Sequence, residues 1–165
     1  MQAAGGDGWR QTWSEAGGFT ARFPVEVAPF GQEIETGFGP ATLTVFGANA
    51  ETSAFFVSYY DYGEDVVLSR EVLLEAERNR GLDGASAELV SDTPFEAVGY
   101  AGREIVADRA GTPLRLRVRN FLVGRRMYSL VAVGPNGPAM DEDARKFFDS
   151  FAFWEKSDET PPGPS

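Results

Sequence analysis

Phe19–Phe23 alternates apolar and polar residues and stops at Pro24, the period-two pattern of a strand with one buried face. Gln32–Thr36 predicts a weaker, edge-like strand. Thr42–Phe46 follows it after Gly39 and Pro40, so the two predict a hairpin. The strongest strand signal is Ala54–Tyr62, dense in β-branched and aromatic side chains. Its successive residues point to opposite sides, which predicts a strand covered on both faces at one end. Core packing is the main reading of Phe55, Phe56, Tyr59, Tyr60 and Tyr62, and a ligand-stacking patch the lesser one.

A helix is expected next. Ser69 suits the N-cap and Glu71 the first turn; Val72, Leu73 and Ala76 share one face, and Gly81 stands where a helix ends. Strand patterns resume at Ala87–Val90, Tyr100–Asp108, Leu114–Val123 and Arg126–Val133. Asn136 and Gly137 between two prolines mark a loop. A second helix is expected from about Asp141 as cap, with Ala144, Phe147, Phe148 and Phe151 at the spacing of one helical face. A short strand, Ala152–Trp154, closes the domain. Two helices among antiparallel-looking strands make an α+β order, not a βαβ one.

Met1–Gly8 is small and Gly-rich and is expected to be flexible, and Lys156–Ser165, with Pro161, Pro162 and Pro164, reads as a disordered tail. Residues 9–155 remain as one domain. No charged-then-apolar signal segment precedes them, and Gln2–Gly8 has the composition of a spacer left after an export signal is removed.

Composition narrows the chemistry. The 165 residues carry a net charge of −10, which disfavours nucleic acid and anionic membranes as general partners. The chain has no His and no Cys. It therefore lacks the usual general base near neutral pH, thiol nucleophiles and zinc–thiolate or iron–sulfur ligation. Zero Cys does not fix the compartment. No apolar run approaches the roughly eighteen residues of a membrane-spanning helix.

Charge is unevenly distributed. Residues 100–126 hold seven Arg (103, 109, 115, 117, 119, 125 and 126) against Glu104 and Asp108. That segment is +5, and the rest of the chain is −15. Arg115, Arg117 and Arg119 alternate with Leu114, Leu116 and Val118, so a strand places the three guanidiniums on one face. Either they form a solvated face paired with acids on neighbouring strands, or they dock an anionic partner, a protein rather than a nucleic acid. The turn Asp61–Asp65 offers three carboxylates of the kind calcium prefers, without the alternating ligands of an EF-hand loop; no metal or cofactor is expected. Asp141, Glu142 and Asp143 complement a helix N-terminus. No Ser stands in a nucleophile elbow and no Gly-rich loop matches a phosphate cradle, so the chain is expected not to be an enzyme.

The order of these pieces resembles the PsbP-like family of extrinsic photosystem II subunits and short bacterial relatives. The resemblance runs through Gly18–Pro24, Val57–Tyr62, Gly99–Glu104, Asn120–Tyr128 and Phe147–Phe151, spanning about residues 18–154. It implies an α+β fold with an antiparallel sheet flanked by helices, an α/β/α sandwich. It also implies a non-enzymatic accessory or assembly domain that docks on a larger complex, membrane-associated or photosynthetic, in a periplasmic or lumenal setting; a cytoplasmic one is the alternative. Arg115, Arg117, Arg119, Arg125 and Arg126 are the candidate partner-binding residues, from the charge distribution. The competing expectation is a small-molecule or ion carrier, its pocket between sheet and helix lined by the Tyr59–Tyr62 aromatics.

Overall fold

The computed structural model describes residues 8–67, 69–97 and 99–153; the expected tail, and the expected flexible start apart from Gly8, lie outside the described residues. The chain begins with β1 (Arg10–Ser14), β2 (Phe19–Phe23), β3 (Pro29–Glu35), β4 (Pro40–Asn49) and β5 (Ala54–Asp61). Helix α1 (Arg70–Ala85) leads into β6 (Ala87–Ala97), β7 (Tyr100–Arg109), β8 (Leu114–Val123) and β9 (Arg126–Pro135). Helix α2 (Pro138–Ser150) and β10 (Ala152–Phe153) complete an α+β chain. Strands order as β3-β4-β5-β9-β8-β7-β6 in a large sheet and β1-β2-β10 in a small one. Every pairing is antiparallel.

Strand alternation divides the apolar residues between two cores. Phe55, Val57 and Tyr59 of β5, Phe121 of β8 and Tyr128, Leu130 and Ala132 of β9 join Phe19, Ala21 and Phe23 of β2. The same core takes Ala144, Phe147 and Phe148 of α2, and Phe151. The intervening residues Tyr60, Leu122 and Met127 pack with Leu43, Val45 and Leu73 and Leu74 of α1. Tyr59 and Tyr60 therefore serve opposite sides of one strand, as alternation predicts.

The β3–β4 hairpin forms, and its outer strand is exposed almost throughout. The pattern did not predict β1, because its two buried positions are the polar Thr12 and Ser14. Ser14 is satisfied locally: its Oγ accepts the Gly17 N–H at 2.9 Å. Strand β6 runs past Pro94, which an inner strand would not tolerate; as the outermost strand it has a free edge for a residue without an N–H.

Both helices differ from expectation. Ser69 does cap α1, accepting the Val72 N–H at 3.2 Å. The helix, however, passes Gly81 and ends at Ala85, where Ser86 takes a left-handed conformation with φ 53°. Its buried stripe is Leu73, Leu74 and Glu77, and Val72 is exposed. Helix α2 starts three residues before Asp141, with Pro138 in its first turn. A proline costs nothing there, since the first helical N–H groups have no partner to lose.

Candidate functional site

Register lays side chains in rows across the α1 side of the large sheet. The first row is Tyr60, Met127 and Leu122; the second is Ser58, Ser129, Asn120 and Arg103. The third is Phe56, Val131, Val118 and Ile105, and the fourth Ala54, Val133, Leu116 and Ala107. One polar row thus separates an apolar row from two further apolar rows.

Helix α1 crosses these rows in order. At its start Arg70 Nη1 donates to the Leu122 carbonyl at 3.1 Å, and Leu73 and Leu74 pack on the first row. Glu77 reaches the second row, 3.2 Å from Ser129 Oγ. Gly81 and Gly84 follow at i+4 and i+7, on the same stripe. A Cβ at either would meet nothing within 4 Å. Gly81 and Gly84 therefore place no side chain above the last two rows, and a cleft of about 320 Å³ opens there, with Leu82 and Ala85 of the helix also on its lining. Its floor is Phe56, Ile105, Ala107, Leu116, Val118, Val131 and Val133, and Glu77, Asn120 and Ser129 stand at its polar end.

A closed network forms that end. Glu77 is 4% exposed, a burial that a lone carboxylate does not sustain. It accepts from Tyr60 Oη at 2.6 Å and from Arg80 Nε at 3.0 Å and Nη2 at 2.8 Å, and Ser129 Oγ, whose one proton goes to Asn120 Oδ1, lies 3.2 Å away. Three donors take three of the roughly four lone-pair positions of the carboxylate. The Tyr60 and Tyr62 hydroxyls lie 3.0 Å apart; Tyr60 gives its proton to Glu77, so Tyr62 donates to Tyr60. Burial pushes the Tyr60 phenol far above its usual range, and the Glu77 charge adds to the shift. Burial also raises Tyr62. Burial opposes the charge on Arg80, but the hydrogen bonds and charge of Glu77 outweigh it and hold the guanidinium above its ordinary value.

Asn120 completes the polar row at 1% exposure. Its Oδ1 accepts from Ser129 Oγ, and no acceptor for its Nδ2 is found among the described residues. None of the expected Tyr59–Tyr62 aromatics borders the cleft, although Phe56 of the same strand does. Tyr59 belongs to the α2-side core, and Tyr60 and Tyr62 to the core beneath the first half of α1.

The arginines lie elsewhere. Arg115, Arg117 and Arg119 share the other side of the sheet with α2. Arg115 Nε meets Asp108 at 2.7 Å, Arg117 pairs with Asp141 of α2, and Arg119 Nε meets Glu104 at 2.7 Å. Arg119 also lies between the rings of Phe95 and Phe148, 4.9 and 4.8 Å from their centres. Arg125 and Arg126 sit at the β8–β9 turn, where they engage Glu64 at 3.7 Å and Asp61 at 2.8 Å. Two carboxylates of the acidic turn are thereby occupied, and no group of three or more metal-ligating side chains is found among the described residues. No described helix is long and apolar enough to cross a membrane.

Apart from Phe56, the cleft residues were not among those the sequence singled out for a site. Gly81 read as the end of a helix, and Glu77 and Asn120 had no pattern to mark them. Comparison with known proteins adds no identity: no family model and no curated protein matches the chain.

Proposed function

We propose that this domain binds a small, largely apolar molecule in the cleft between α1 and the sheet, without transforming it. The observation that carries the reading is the absence of a side chain at Gly81 and Gly84 above two apolar rows. Glycine inside a helix costs about 1 kcal/mol relative to alanine, and this helix contains two in its last turns. The volume of about 320 Å³ lies at the lower end of small-molecule sites, which run from about 300 to 1,000 Å³. An apolar floor with a few converging polar groups is the usual composition of such a site.

A docking role on a larger assembly, with its extracytoplasmic setting, goes with the PsbP-like resemblance, and the element order supports reading the domain as an α/β/α sandwich of that kind. The five candidate arginines each have a carboxylate partner in this chain. A partner would therefore meet a largely balanced face, which is why the cleft is preferred here.

N-phenyl-1-naphthylamine, a neutral dye that brightens when sheltered from water, tests the reading. One saturable site is expected in the wild-type chain, lost in a Gly81→Leu/Gly84→Leu variant that fills the cleft. Absence of saturable binding, or equal binding by the filled variant, contradicts it.

A further inference from the structure

We infer, resting on that reading of the cleft, that the ligand is uncharged and presents a hydrogen-bond acceptor, such as the carbonyl of a ketone, ester or amide, to Asn120 Nδ2. Among the described residues, three charged side chains line the cleft: Glu77, Arg78 and Arg80. Glu77 and Arg80 neutralise each other through two hydrogen bonds. Tyr60 donates to the same carboxylate. Arg78 Nη1 is committed to Asp92 at 2.7 Å, and its Nε and Nη2 each lie 3.1 Å from Asn79 Oδ1. A charged ligand group entering here gives up its hydration and meets no charge that is not already paired, which is costly in an apolar site.

Asn120 is the exception among these occupied groups. It is 1% exposed and borders the cleft. Ser129 takes its carbonyl oxygen, so the NH₂ is the part left to a ligand, and an NH₂ can only donate. Beyond it lie the apolar rows of Val118, Val131 and Phe56, then Leu116 and Val133. A ligand with its carbonyl at the second row and its hydrocarbon over the third and fourth matches this sequence of surfaces.

Displacement of N-phenyl-1-naphthylamine by 2-octanone, octanoate and octylammonium at neutral pH tests the inference. The ketone should displace the dye at a concentration at least tenfold below either ion. In Asn120→Asp, which replaces the donor by an acceptor of the same shape, ketone affinity should fall at least tenfold while the dye still binds. If an ion competes as well as the ketone, if the ketone fails to displace bound dye, or if Asn120→Asp leaves the ketone unaffected, the ligand class is overturned and the cleft reading stands. If the dye itself finds no site, the cleft reading falls first.

Discussion

Tyr60 Oη donates to Glu77 Oε1 across 2.6 Å, tying an inner strand of the large sheet to the middle of α1. The bond sits at the boundary between the packed half of the helix and the half that stands over the cleft.

Glu77→Ala should cost about 3 kcal/mol or more, since it leaves the Arg80 charge and the Tyr60 hydroxyl without their acceptor. Tyr60→Phe removes one of three donors and should cost only about 1 kcal/mol. Urea denaturation of both single variants and the double variant gives the coupling. Additive effects would mean that the pair does not act as a unit.

Tyr60, Tyr62 and Tyr128 are all raised by burial above the ordinary phenol value of 10.0. A raised acid holds its proton longer when folded than when unfolded. The stability it contributes is complete below pH 10 and is lost as pH climbs above that value. Denaturation midpoints should therefore fall steeply above pH 10, and Tyr60→Phe should flatten the fall. An unchanged slope in that variant would assign the alkaline loss to other groups.

Arg119 and Arg125 belong to the same basic segment but should behave oppositely. Arg119→Ala loses an ion pair and two ring contacts and should destabilise by about 1–2 kcal/mol. Arg125, half-exposed and 3.7 Å from an exposed Glu64, should change stability by no more than about 0.5 kcal/mol when replaced by Ala. Thermal or urea unfolding distinguishes the two.

Gly84→Ala adds a methyl group where nothing lies within 4 Å. It should stabilise the chain by about 0.5–1 kcal/mol through helix propensity alone. Destabilisation would mean that the last turns of α1 press on the sheet, and that the cleft is not open.

Parts of this architecture were plain in the sequence. Ala144, Phe147, Phe148 and Phe151 are all apolar at helical spacing, and all four are buried against the sheet. Phe19–Phe23 begins and ends where its alternation does. What stayed hidden is polar and buried. Thr12 and Ser14 conceal β1, and Glu77 breaks the stripe of α1, because periodicity counts a glutamate as solvent-facing whatever its partners. The mutual alignment of Arg115, Arg117 and Arg119 was legible, but not which acids meet them, since Glu104, Asp108 and Asp141 reach them from another strand and a helix.

The cleft was illegible for a different reason. Its polar row joins Ser58, Arg103, Asn120 and Ser129 through three strand pairings, and only the register places them together. Its opening depends on the two side chains that Gly81 and Gly84 lack. A glycine in sequence signals a stop or a turn; a glycine that leaves space shows itself only once the opposing surface is in place.

Backbone amide NMR during titration with 2-octanone locates the binding surface residue by residue. Shifts should concentrate in Glu77–Ala85 and in the segments of β5, β7, β8 and β9 that carry the second, third and fourth rows. Shifts confined to the α2 side of the sheet, or none at saturating ketone, would contradict binding in the cleft.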